Sequence, residues 1–152
     1  MKVERPLYFE DFEVGQVYET ESWTLTEDEI IEFGKKYSPM PYHTDPEAAK
    51  QSSFGGLVAA GYQTAAITFS LFVNTGALAE SGMGSPGVDS LRWKRPVKAG
   101  DTLHVLANII EVSPSEKDGG RDAIRIRYDT INQDGDQVMT LTSLHFVRRK
   151  DV

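Results

Sequence analysis

Between Gly61 and Ala79 the chain carries no Asp, Glu, Lys or Arg. Within that stretch Ala65, Phe69, Phe72 and Val73 recur at three- and four-residue intervals, the period of a helix. Further apolar residues surround most of its other sides, and a helix of that kind belongs in the middle of a fold. It is not a membrane span, because Thr68 and Ser70 interrupt an apolar run around Ala65–Val73 that is far too short to cross a bilayer. The expectation is a buried helix over about residues 59–79, opened by Gly61 or slightly earlier and ended by Gly82-Met83-Gly84-Ser85-Pro86-Gly87. Whatever else the chain builds has to wrap around it.

The second half of the sequence supplies the wrapping. Val88–Val97, Thr102–Val112, Ala123–Asn132 and Val138–Arg149 are β-type runs separated by turn signals at Lys98–Asp101, Ser113–Gly120 and Asn132–Asp136. Ile124, Ile126 and Tyr128 alternate with Arg125, Arg127 and Asp129, as on a half-buried antiparallel strand. These runs are expected to form a four-strand meander. Upstream, Val14–Thr24 reads as a first strand, and Thr26 with Glu29 three residues on reads as a capping box opening a helix through Ile30, Ile31, Phe33 and Gly34. Pro39 and Pro41 forbid its continuation, so Tyr37–Asp45 is expected as a stiff extended loop. Asp45 then caps a short helix begun by Pro46, which Phe54-Gly55-Gly56 breaks. A long helix wrapped by an antiparallel sheet is an α+β layout. At 152 residues with 39% apolar content and no internal repeat, the chain reads as one domain over 1–152.

Charge narrows the partners. Residues 1–32 hold ten acids against two bases, and the whole chain is formally −7. Clustered cations are what nucleic-acid binding needs, so an acidic chain argues against it. The exception is Arg92, Lys94, Arg95 and Lys98, which read either as a solvated strand edge or as a docking point for a phosphorylated small ligand. There is no cysteine, which excludes disulfides and thiolate chemistry and fits a cytoplasmic location. The acidic N-terminus MKVERPLYFEDFEVG lacks the apolar segment of a secretory signal. His43, His104 and His145 are scattered without ligand spacing, so no metal site is expected.

Tyr37–Ala49, YSPMPYHTDPEAA, followed by Phe54–Gly61, FGGLVAAG, resembles the hydratase motif of MaoC-like dehydratases, the (R)-specific enoyl-CoA hydratases with a hot-dog fold. Gly84–Asp89 with Arg92-Trp93, the segment Arg95–Leu103 and Tyr8–Gly15 extend the resemblance over nearly the whole chain. The resemblance implies a central helix wrapped by five or more strands, and a homodimer or higher oligomer with acyl-thioester sites at the interface. It also implies reversible hydration of an enoyl-CoA, with coenzyme A entering as part of the substrate and no separate cofactor. In that family an Asp and a His before the central helix hold the water, and a backbone N–H at the start of the helix holds the thioester oxygen. The family pattern is Asp, any residue, Asn or Gln, Pro, an apolar residue, His. This chain reads Ser38, Pro39, Met40, Pro41, Tyr42, His43.

Several roles then follow from the chemistry. His43 is the candidate base, since an imidazole titrates near neutral pH. Gly61 supplies an unpaired N–H if it opens the buried helix. Glycine at 55, 56 and 61 would let a thioester approach the backbone closely. Ser38 cannot act as a carboxylate would, but its hydroxyl can orient a water. Asp45 is closer to a cap than to a substitute acid. Met40 and Tyr42 would shape the pocket; Tyr42, Phe54 and Trp93 either line an acyl channel or are simply core. Arg92, Lys94 and Arg95 are candidates for the coenzyme A phosphates, against which stands strand alternation, since it sends neighbours to opposite faces. Two functions compete: a hydratase acting through His43, and a non-catalytic or partner-dependent acyl-thioester-binding subunit. A hot-dog thioesterase fits less well, because those enzymes generally place an acidic residue on or near the central helix, whereas between Gly61 and Ala79 this chain offers Gln63, Thr64, Thr68, Ser70, Asn74 and Thr75 but no Asp or Glu.

Overall fold

The computed structural model describes residues 1–117 and 119–151. Asp118, inside the turn expected at Ser113–Gly120, and Val152, the last residue of the expected domain, lie outside the described residues. The elements are a 3₁₀ turn at Phe9–Asp11, strands β1 (Val17–Glu19) and β2 (Trp23–Thr24), helices α1 (Glu27–Tyr37), α2 (Pro41–Thr44), α3 (Pro46–Lys50) and α4 (Gly61–Val73), then β3 (Gly87–Trp93), β4 (Thr102–Ser113), β5 (Ala123–Ile131) and β6 (Gln137–Phe146). The strands form one antiparallel sheet in the order β1-β4-β5-β6-β3, with β2 also on β4. The α+β architecture expected from the sequence is the one observed.

The core lies between α4 and the inner face of the sheet. Ile67, Leu71 and Phe72 of α4 pack into one cluster with Leu103, Val105, Ile126, Tyr128, Val138 and Met139. The period-2 pattern is realised on β5, where Ile124, Ile126 and Tyr128 are buried and Arg125, Arg127 and Asp129 face outward. Thr26 and Glu29 form the expected capping box, with Thr26 Oγ1 accepting from the Glu29 N–H at 3.2 Å. Gln63 Nε2 donates to the Glu29 carbonyl at 3.0 Å, tying the first turn of α4 to α1.

Five expectations are corrected. The first strand is interrupted: Thr20 still bonds Val105 and Trp23 pairs with Leu103, so Glu21 and Ser22 together stand opposite His104, a bulge that separates β1 from β2. Tyr37–Asp45 is not wholly extended, because Pro41 occupies the first position of α2, where its missing N–H costs nothing. The central helix is shorter than 59–79. Val58 pairs with Lys98 and the Ala59 N–H bonds the Val97 carbonyl, which keeps the chain extended up to Ala60. At the other end Gly76, at φ +79°, turns the chain away after Val73. That helix is also not covered on all sides, since Tyr62, Phe69 and Val73 are exposed. Finally, only β4-β5-β6 form a meander; β3 pairs with β6 at the far edge, because Arg95–Lys98 leaves the sheet to meet Val58 and Ala59 before β4 begins.

Candidate active site

His43 is placed by backbone constraints from two sides. α2 packs so closely on α1 that a methyl group at Gly34 would lie 2.8 Å from the His43 carbonyl oxygen and 2.9 Å from its Cβ. On the other side Val58 takes part in two bonds with α2: its N–H donates to the Tyr42 carbonyl at 3.0 Å, and its carbonyl lies 2.7 Å from His43 Nδ1. A carbonyl can only accept, so Nδ1 carries the proton, and in the neutral ring Nε2 is left with a free lone pair. His43 is only 7% exposed, and its Nε2 has no protein partner among the described residues. Tyr42 stands edge-on to it at 4.5 Å between ring centres, and Phe54 packs on Tyr42 at 5.1 Å.

His43 opens onto a cavity of about 440 Å³. One wall is the start of α4, with Ala60, Gly61 and Thr64; another is Phe54, Val58 and Ala59; a third is Trp93 to Val97. The cavity therefore lies where the loop before α4, the α4 N-terminus and the chain after β3 meet. Ala60, the residue before the helix, has no side-chain cap, and the N–H groups of Gly61 and Tyr62 have no acceptor among the described residues. That leaves donors and the positive end of the helix dipole beside an unprotonated imidazole nitrogen.

Of the residues singled out in the sequence, Ser38, Tyr42, His43, Phe54, Gly61, Trp93, Lys94 and Arg95 line this one cavity. Met40, Gly55, Gly56 and Arg92 are not among its lining residues. Met40 is the residue before α2 and turns its side chain to solvent, while its carbonyl accepts the His43 N–H at 2.9 Å. Gly55 adopts φ +71°, a turn conformation that favours glycine, with open space around it. Arg92 pairs in register with Thr140, one residue from Trp93, so alternation places it on the opposite face of the sheet. Asp45 accepts from the N–H groups of Glu47 and Ala48, the cap geometry expected of it. Among the described residues, no carboxylate lines the cavity. Among the described residues no group of three or more His, Cys, Asp or Glu could hold a metal ion.

Sequence reasoning missed Gly34 and Val58, which hold the imidazole in place. Gly34 left a signal: glycine inside a helix costs roughly 0.5–1 kcal/mol relative to Ala and asks for a reason. Val58 left none, because its contribution is a carbonyl.

Residues 11–126 match the family model described as the MaoC like domain. The chain belongs to the MaoC-like family. The MaoC-like dehydratase of Rhodospirillum rubrum is 36% identical to it, with a TM-score of 0.89 over 96% of this chain and 99% of that one. Protein MaoC of Klebsiella aerogenes is 36% identical over 99 residues, which are 64% of this MaoC-like chain and 29% of that protein. The R-hydratase PhaJ1 of Pseudomonas aeruginosa, at 23% identity, shares the fold with a TM-score of 0.77 over 95% of this chain and 88% of its own. The MaoC-like chain thus has the hot-dog fold, with α4 as the helix inside the wrapped sheet. No helix among its described residues is long and apolar enough to cross a membrane.

Proposed function

We propose that this protein is a hydro-lyase that adds water across the double bond of a trans-2-enoyl-CoA, and removes it in reverse, with His43 as its base. The observation that carries the reading is the bond from His43 Nδ1 to the Val58 carbonyl, which leaves Nε2 without a protein partner on a residue that lines the same cavity as Gly61. Nε2 takes a proton from a water as the water oxygen bonds the β-carbon. The π electrons move through the α-carbon toward the thioester oxygen, where the first-turn N–H groups of α4 donate hydrogen bonds to the developing negative charge. The imidazolium then returns its proton to the α-carbon, so one nitrogen serves as base and then as acid and the sum is one water added. Ser38, standing where the family pattern has an acid, orients the water through its hydroxyl. Phe54, Val58, Ala59 and Val97 offer an apolar surface to the acyl group, and Lys94 and Arg95 at the same cavity suit the coenzyme A phosphates. No separate cofactor enters this scheme, and we assign the protein to the cytoplasm.

A homodimer is part of this reading. Val88 and Trp93 pair with Ser143 and Met139, both buried, and so lie on the inner side of the sheet. Both are nevertheless exposed, as are Phe69 and Val73 on the adjoining side of α4. A second copy would cover them.

Ser38 favours one alternative, a non-catalytic or partner-dependent subunit that holds an acyl thioester without hydrating it. Purified protein and His43→Ala are assayed on a panel of trans-2-enoyl-CoAs. Turnover in the parent that falls by roughly 10²–10⁴-fold in His43→Ala supports the hydratase. Folded parent protein that binds acyl-CoA without turnover, and gains hydration with Ser38→Asp, supports the alternative.

A further inference from the structure

Helix α4 begins without the usual fastening. An N-cap side chain accepts from the second or third N–H of a helix and holds its first turn. Ala60 offers no such group, and the first helical residue is Gly61, of the type with the most backbone freedom. Local interactions alone leave such an end prone to fray.

The fastening arrives from another element. Trp93, the last residue of β3, lays its indole so close to Gly61 that a methyl group there would lie 2.5 Å from Cε2 and 2.8 Å from Cζ2 and Nε1. The indole Nε1 donates to the Gly61 carbonyl at 2.8 Å. Tyr62 braces the ring edge-on, with 5.6 Å between ring centres and planes at 80°. The two kinds of fastening differ in what they leave open. A capping side chain occupies first-turn donors, whereas a clamp on the carbonyl restrains the same backbone and leaves its N–H groups free. Here the freed donors share a cavity with His43, more than nine-tenths buried and with Nε2 unpartnered.

We infer that Trp93 is a positioning residue: by clamping the Gly61 carbonyl from the neighbouring strand, it aims the uncapped N–H groups of α4 at the thioester oxygen of the substrate. The identity of the bound group rests on the hydratase reading above. Trp93 itself moves no proton. Its contribution is orientational, and misplacement on the order of 1 Å at a reacting centre costs as much as about 100-fold in rate.

The test compares the parent with Trp93→Phe and with a variant carrying benzothienylalanine at position 93, which keeps the indole shape and lacks only the N–H. Crotonyl-CoA is the substrate. Butyryl-CoA labelled with ¹³C at the thioester carbon is the unreactive probe, and its bound C=O stretch reports hydrogen bonding at that oxygen. The expected result is a fall in kcat of roughly 10- to 100-fold with KM changed little, and a bound C=O stretch shifted toward its value in solution. Unchanged kcat and C=O stretch in both folded variants overturn the inference while the hydratase reading stands. A parent that binds butyryl-CoA with a shifted stretch but hydrates nothing overturns the hydratase reading, and the variants' stretch then decides the role of Trp93. A parent that binds neither thioester overturns both.

Discussion

At the scale of single residues, the two buried histidines have opposite fates. His43 keeps one nitrogen on a carbonyl, leaves the other without a protein partner among the described residues, and lines a cavity. His145 is enclosed: its Nε2 and the Tyr128 hydroxyl share a 2.8 Å hydrogen bond, and the Phe69 ring lies parallel to it at 6.1 Å. Burial lowers its pKa from 6.5 to about 4 and pushes the Tyr128 phenol upward. The sign of the linkage follows. The folded state binds the proton less readily than the unfolded state, so the neutral ring's full contribution is present above pH 6.5, declines as pH falls toward about 4, and changes no further below that. The loss across that window is on the order of 3 kcal/mol. Urea unfolding of the parent and of His145→Gln at several pH values checks this, and the variant is expected to show a shallower acid slope between those limits.

At the scale of elements, the arrangement depends on how tightly α1 and α2 approach. Gly34 is a poor helix former by propensity, so replacement with Ala would ordinarily stabilise an exposed helix. Here the added methyl meets the His43 carbonyl and Cβ below normal contact distance, and the backbone of both helices must separate. Gly34→Ala is expected to destabilise by about 1–3 kcal/mol in urea unfolding, with an unchanged slope, and to lower hydration by displacing the imidazole. Stability that rises, with hydration intact, would show that α2 has room to yield. The same proximity explains why the short α2 exists at all: Pro41 starts it without an N–H to satisfy, and the Val58 backbone closes over its end.

At the scale of the whole molecule, the sheet ends in an incomplete edge. β3 is exposed along most of its length, and its inner-side residues Val88 and Trp93 stay exposed although Trp93 meets Gly61 and Tyr62 at the start of α4. Edge strands with apolar residues on the core side are templates for pairing. Sedimentation velocity is expected to give a dimer for the parent and a shift toward monomer for Val88→Asp, whose carboxylate would have to be buried in the interface. A monomeric parent would remove the dimer from the functional reading. Because Trp93 belongs to the same strand, dissociation should also lower activity in Val88→Asp beyond what its folding accounts for.

The uncharged helix, the alternating strands, the Thr26–Glu29 and Asp45 caps and the position of Gly61 at a helix start were all legible in the amino-acid sequence. All of these depend on neighbours a few residues apart, where periodicity and capping chemistry act. The sequence also carried His43 as the candidate base, through the resemblance of its surrounding motif. Which side chains share the cavity depended on how the elements pack. Arg92 was removed by strand register, and Met40 by the turn into α2, while Trp93 at the end of β3 and Lys94 and Arg95 just after it were brought in from about 50 residues beyond His43. The tautomer of His43 and the clamp on Gly61 are likewise tertiary. Each is made by a backbone carbonyl, and every residue has one, so no residue type in the sequence could announce it.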